Sequence, residues 1–247
     1  MKLYESQGIV LKNKEYGEGG RLVTLLLPSA GRVTAVAKGV TKPKSRLRPV
    51  VQPLTHASFL LYRGESLDTL IQGEVIASFM ALRQDLERLS WAQYLAEVTA
   101  AFMPEREANN ELFDNLLLGL RLLQDQPVRL TGVYVLTHVL RLAGYQPGLG
   151  RCLCGRVPSG EIFFGFRAGS ILCSVCRPRD PSAVPVSAPA VAAWRYLARS
   201  TPAGFLRLKS SPRILAELGE VLEKDLVYQA GQPFRSWPVL LSLGADA

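Results

Sequence analysis

Five short β-branched and leucine-rich runs follow one another between Gln7 and Val75: "GIVLK", "RLVTLLL", "RVTAVAKG", "ASFLLY" and "LDTLIQGEV". Turn chemistry separates them, with "PSAG" after the second run and "RGES" after the fourth; their Gly, Ser and Pro content suits hairpin turns. Val33, Ala35 and Ala37 alternate with Arg32, Thr34 and Val36, the period of two expected when one sheet face is more buried than the other. Five short strands joined by long loops fit a small closed barrel. The OB fold is the leading candidate, and its sheet face and loops suit single strands of nucleic acid.

Between the third and fourth runs lies "AKGVTKPKSRLRP", in which Lys38, Lys42, Lys44, Arg46 and Arg48 occur without one acid and Pro43 and Pro49 oppose helix. The chain of 247 residues has a net charge of +8, unevenly spread. Residues 1–80 hold eleven Lys and Arg against six Asp and Glu, whereas residues 81–149 hold six against eight. Residues 150–180 carry five against two, and the remainder seven against five. Basicity concentrated in one segment points to a polyanion footprint rather than to solubility alone. Lys38, Lys42, Lys44, Arg46 and Arg48, joined by Arg32, are the candidate phosphate contacts, with a solvated loop as the plainer alternative. Tyr16, Phe59 and Tyr62 are candidates for stacking on bases, although a barrel core needs aromatics as well.

After Ala77 the periodicity becomes helical. Leu82, Leu86, Leu89, Leu95 and Phe102 predict one apolar helix face, and "ELFDNLLLGLRLL" and "RLTGVYVLTHVLRLAG" repeat the pattern after breaks at "PEREANN" and "DQP". A proline-rich connector, "RPRDPSAVPVSAP", leads into "AVAAWRYLARS" and "PRILAELGEVLEKDLVYQ", again helical. Arg195 and Arg199, one helical turn apart, are candidate additional contacts to the polyanion or to an acidic peptide, against the simpler reading of a solvated face. The expected organisation is an α+β multidomain chain: a five-stranded OB-fold barrel over residues 1–79, helices over 80–149, a cysteine-bearing finger over 150–180 and further helices over 181–247. No segment approaches the length of apolar chain a membrane span needs, and the start lacks the apolar stretch of a signal peptide, so a soluble cytoplasmic protein is expected.

Cys152, Cys154, Cys173 and Cys176 form two pairs with 18 residues between them. This is the layout of a four-thiolate zinc site, in which each short loop offers two sulfurs and the intervening "EIFFGF" and "SILC" fold back as a hairpin. The first pair is C-x-C, one residue shorter than usual, which implies a tighter chelate that is strained or partly decayed; buried reduced thiols are the alternative. A catalytic ion is disfavoured, because four thiolates leave no open position. His56, in or beside a strand, and His138, on an apolar helix, read as hydrogen-bonded structural residues. No G-x-x-x-x-G-K-[ST] loop offers ATP a seat, and "YGEGGR" precedes a strand, as a barrel loop does. Asp68 and Glu74 could face one way along a strand, but the acids of the barrel do not cluster as a two-metal nuclease needs, and a pair without a third acid beside it does not make such a site. The expectation is a non-enzymatic nucleic-acid binder, with an RNA-binding or ribosome-associated OB protein as the rival and a nuclease behind it.

The stretch from Gly8 to Leu47 resembles the N-terminal domain of the bacterial RecO recombination-mediator family, through "GIVL" at Gly8–Leu11, Gly31 and Arg32, Lys38 and Gly39, and Ser45 and Arg46. "VLRLAGYQP" followed by "RCLCG" is similar to the family's passage into its zinc finger, with Gly144, Tyr145 and Pro147 matching. The short first cysteine pair departs from the family's pattern. The resemblance implies an OB domain, a helical domain and a finger holding one structural Zn2+. It also implies a mediator in DNA repair that binds single- and double-stranded DNA, anneals complementary strands and helps load recombinase onto DNA coated with single-strand-binding protein (SSB). Implied partners are the ring-forming repair protein RecR and the acidic C-terminal tail of SSB, in a nucleoid-associated setting.

Overall fold

The computed structural model of the chain describes residues 2–244; the outermost ends of the expected first and last segments, residue 1 and residues 245–247, lie outside them. Two compact units are formed, one by the chain up to Gln126 and again from Ser236, the other by Pro127–Arg235.

The first unit opens with β1 (Leu3–Tyr16), β2 (Gly20–Leu27) and β3 (Gly31–Ala37), passes through a one-turn helix α1 (Leu47–Val50), and continues into β4 (His56–Tyr62) and β5 (Asp68–Ala77). These strands close in the order β1-β2-β3-β5-β4, with β3 and β5 parallel and every other pair antiparallel. This is the expected OB barrel. Alternation sets its interior: Val33, Ala35 and Ala37 of β3 are buried, while Arg32, Thr34 and Val36 remain partly open. Val10, Val23, Leu25, Leu27, Phe59 and Leu61 join them in one core, each large aliphatic contributing about 1.5–3 kcal/mol by leaving water.

β1 is far longer than "GIVLK" predicts. Its first half, Leu3–Ile9, pairs with β4 and its second, Ile9–Tyr16, with β2, and a β-bulge at Leu11 re-aims the strand between the two partners. A second bulge, at Ile71 of β5, shifts the alternation by one, so that Asp68 points into the barrel while Glu74 is exposed. The two acids therefore do not share a face.

The expected apolar helix from Leu82 is two helices, α2 (Met80–Arg83) and α3 (Leu86–Phe102), because Asp85 stops the first and caps the second by accepting from the Arg88 N–H. Leu82 and Leu95 are buried, but Leu86 is 62% exposed. Ser90, Trp91, Tyr94, Val98 and Thr99 are all buried, so α3 is covered nearly all round rather than along one stripe. α4 (Asn110–Leu122) follows, capped by Asn109.

In the second unit α5 (Val128–Leu142) is buried along almost its whole length. Antiparallel β6 (Ile162–Gly165) and β7 (Ser170–Cys173) form the expected hairpin, and β8 (Val184–Pro185) adds a short third strand beside β6. α6 (Ala188–Arg199) and α7 (Pro212–Ala230) each start with a serine cap followed by proline in the first turn. The chain then returns to the first unit as α8 (Ser236–Gly244), where Trp237 meets the ring of Tyr94 and Ser236 N–H donates to Glu97 Oε2 at 3.0 Å. Among the described residues no helix is long and apolar enough to cross a membrane.

Candidate nucleic-acid interface and cysteine cluster

The basic segment is an ordered crossing between β3 and β4. Val40, Val50 and Val51 drop into the barrel core and Leu47 packs against it, pinning both ends. Successive turns shape the middle, with Lys42 N–H donating to Gly39 O at 3.3 Å and Ser45 N–H to Lys42 O at 3.0 Å, and Thr41 N–H ties the loop to Gly19 O of the β1–β2 turn at 3.3 Å. Lys38, Lys42, Lys44, Arg46 and Arg48 are all exposed, and among the described residues none forms an ion pair. Anchored apolar residues and outward cations give an ordered positive surface, and among the described residues no carboxylate pairs with its cations.

The six predicted contacts are not equivalent. Arg48 spends Nε and Nη2 on the carbonyls of Val40, Thr41 and Lys42, at 3.5, 2.7 and 3.4 Å, so it also shapes the loop. Arg32 lies outside the loop and pairs with Glu105 at 3.8 Å. Among the described residues, the head groups of Lys38, Lys42, Lys44 and Arg46 make no such bond. Composition of the loop alone draws attention away from Lys12 and Lys14, exposed on the neighbouring strand, and from Arg21, which faces Glu15 across the hairpin at 3.5 Å. The alternation of Lys12 and Lys14 along β1 is the signal that points to them. Of the three aromatics, Phe59 belongs to the core, while Tyr16 and Tyr62 are exposed.

A carboxylate fixes the segment that follows α3. Asp68, with no side-chain exposure, accepts from Arg106 Nη2 at 2.8 Å, from Gly64 N–H at 3.2 Å and from the Tyr4 hydroxyl. Burial alone would raise its pKa, but the bonds from Tyr4, Arg106 and Gly64 outweigh that and hold it below the usual carboxylate value. Burial and the same carboxylate push the Tyr4 phenol up, so it stays a donor. The held segment lies along β3, with Arg32 N–H donating to Pro104 O at 3.1 Å and Arg106 N–H to Arg32 O at 3.2 Å. Gly31 permits this approach: its φ is +61°, and a Cβ there would sit 2.3 Å from Glu107 O and 2.4 Å from Pro104 O.

In the second unit the sulfurs of Cys152, Cys154, Cys173 and Cys176 lie within 4.8 Å of one another. The Cys152–Cys173 and Cys154–Cys173 distances are 3.7 and 4.0 Å, far beyond a disulfide bond of about 2.05 Å. They match the edge, about 3.8 Å, of a sulfur tetrahedron around an ion bonded at about 2.3 Å. The C-x-C turn achieves this with Gly155 at φ +81° and its N–H on Cys152 O at 2.8 Å. The short pair thus presents both thiols to the common point. Burial raises Cys152, but N–H groups of Cys154 and Cys173 and the neighbouring thiols bring it net below the ordinary thiol, while the bond to Cys152 and burial raise Cys176. An ion binding all four thiols would displace their protons. Asp180, which sequence reading did not single out, braces the module by accepting from Ala168 N–H and Ser182 N–H, both at 2.9 Å.

Arg195 donates to Leu149 O at 2.5 Å and is partly buried, whereas Arg199 is exposed. His56 Nε2 lies 3.2 Å from Gln7 Oε1, and His138 Nδ1 accepts from Arg141 Nε at 3.4 Å. Both are buried, and burial first, aided by Arg121 and Arg141 respectively, lowers their pKa values. Both are hydrogen-bonded, as expected.

Barrel, helices and cysteine hairpin together describe an OB-fold protein whose second, helical unit carries a four-cysteine finger. Two family descriptions cover nearly all of such a chain: "Recombination protein O N terminal" matches residues 1–79 and "Recombination protein O C terminal" residues 83–238. The chain belongs to the RecO family of DNA repair proteins. It is 36% identical over 250 residues to DNA repair protein RecO of Heliobacterium modesticaldum, covering 99% of this chain and 91% of that one. It is likewise 35% identical to that of Moorella thermoacetica (99% and 92% covered) and 36% identical to that of Pelotomaculum thermopropionicum (99% and 96%).

Proposed function

We propose that this chain is a non-enzymatic recombination mediator that binds single- and double-stranded DNA through the basic loop of its barrel and anneals complementary strands without nucleotide. The observation that carries this reading is the ordered loop of exposed cations between β3 and β4, none in an ion pair among the described residues. Such a surface neutralises phosphates and releases counterions whatever the sequence. Holding two strands together also lowers their mutual repulsion, which needs positive charge but no ATP. Residues 1–79 serve as the DNA-binding domain, with Lys38, Lys42, Lys44 and Arg46 as principal contacts and Arg32 and Arg48 as secondary ones. Arg199 and, more weakly, Arg195 serve as additional basic contacts in the second unit. The family membership supports the further steps: loading recombinase onto SSB-coated DNA, with RecR and the acidic SSB tail as partners, at the nucleoid.

The finger over residues 150–180 holds one structural Zn2+ through Cys152, Cys154, Cys173 and Cys176. Four thiolates at tetrahedral spacing suit zinc and leave no open position for chemistry. An annealing assay with two labelled complementary oligodeoxynucleotides, with and without SSB and with ATP absent throughout, tests the mediator reading. The expected outcome is annealing faster than the spontaneous rate, lost with rising salt more steeply than the binding of one strand, because more counterions are released when both are held. No acceleration at low salt, or acceleration only with nucleotide, would reject it. Stronger competition by RNA than by matched DNA would favour the RNA-binding rival.

A further inference from the structure

An open cleft of about 300 Å³ separates the β1–β2 hairpin from the basic loop, lined among others by Asn13, Arg21, Thr41, Arg48 and Gln52. Asn13 and Glu15 stand opposite Val23 and Arg21 in the hairpin ladder, and Val23 is fully buried in the barrel. The cleft therefore continues the barrel's interior face up the hairpin. Val40 and Val51, both core residues, contribute to its lining, and the Thr41 bond to Gly19 O ties the loop to the hairpin turn. Among the described residues no Asp or Glu lines it. Glu15, 86% exposed on the same hairpin, pairs with Arg21 at 3.5 Å.

We propose that this cleft takes one nucleotide of the bound single strand, its phosphate on Arg21 and Arg48, and so fixes the register of the strand on the barrel. The inference rests on the DNA-binding reading above and adds where a strand is gripped rather than merely attracted. Three loop carbonyls hold Arg48 through Nε and Nη2, which leaves the two N–H groups of Nη1 without a partner among the described residues. A guanidinium already fixed in place loses little freedom on meeting a phosphate. Arg21 can exchange its exposed pairing with Glu15 for a phosphate at small cost, since such surface pairs contribute little. Asn13 and Gln52 are oriented likewise, their amides donating to Val51 O at 2.6 Å and Arg48 O at 2.9 Å, so their oxygens remain to meet sugar or base. The volume lies at the small end of ligand pockets and suits one nucleotide rather than a stacked run. The loop lysines, on the open surface, would then supply attraction without position.

The test uses the full chain, a fluorescein-labelled mixed-sequence oligodeoxynucleotide and anisotropy over a range of salt, with circular dichroism to confirm folding. Arg21→Gln should weaken binding on the order of tenfold, the worth of one charge-assisted contact, and lower the slope of log K against log salt by about 0.7. Glu15→Gln, at an exposed position, should tighten binding by freeing Arg21, a gain that damage to the fold would not produce. If both variants bind as the parent does while Lys42→Glu/Lys44→Glu/Arg46→Glu loses affinity, the cleft lies off the strand path and only this inference falls. If that triple variant also binds normally, the DNA-binding reading falls with it.

Discussion

Replacing Arg106 by Met should loosen the segment that lies along β3, and the size of the effect follows from the burial of Asp68. The substitution keeps an unbranched stem and leaves the backbone at its φ of +56°, equally strained for either residue, so the change isolates the charge. Removing one partner of a fully buried pair costs about 3–5 kcal/mol. The cost here is smaller, because the guanidinium end is 41% exposed and Asp68 retains its bonds from Tyr4 and Gly64. About 2 kcal/mol is expected at neutral pH, or a fall in Tm of about 4–8 °C. The sign with pH is set by Asp68. Its folded pKa is depressed, so its contribution is present above the ordinary carboxylate value and is lost as pH falls through the folded one. The gap between parent and variant should therefore narrow on acidification below about pH 4. Thermal melts of both proteins between pH 7 and pH 3 measure this. A gap under 1 °C at pH 7, or one that widens in acid, would refute the reasoning.

Gly31→Ala should destabilise by more than the usual cost of a left-handed alanine, about 1–2 kcal/mol, because the new Cβ meets two carbonyl oxygens of the following segment; urea denaturation checks it. Metal analysis of the purified chain should find about one zinc, and Cys173→Ser should lower stability more than DNA affinity in whatever remains folded, since the site is structural; metal-free protein with four titratable thiols would instead support the decayed-site alternative.

The barrel was legible because β3 alternates cleanly and turn residues punctuate the runs. The length of β1 was not, since its ends are polar and each half pairs with a different strand, a property of closure rather than of local pattern. The bulge at Ile71 likewise leaves no local mark, yet it decides that Asp68 is a buried acceptor and Glu74 a surface acid. Leu86 reads as core by spacing but sits exposed in the first turn of α3, just after the cap at Asp85. α8 went unseen because "SWPVLLSLG" carries a proline and too few residues to show a period. For the candidate site, sequence supplies the charge and structure supplies its disposition. Arg48 and Arg195 bond to backbone carbonyls and Arg32 pairs with Glu105, whereas the side chains of Lys42, Lys44 and Arg46 make no such contact among the described residues. The cysteine pairs were legible from spacing, and what Gly155 adds to the C-x-C turn was not.

The most direct measurement is the salt dependence of single-strand binding by the Lys42→Glu/Lys44→Glu/Arg46→Glu variant beside its parent. All three side chains are exposed and carry no ion pair among the described residues, so the fold should survive the change. Loss of three phosphate contacts should weaken binding strongly at low salt and flatten the log K against log salt slope by about 2, at roughly 0.7 per contact on a single strand. A folded triple variant with the parent's affinity and the parent's slope would contradict the assignment of this loop as the DNA-binding surface.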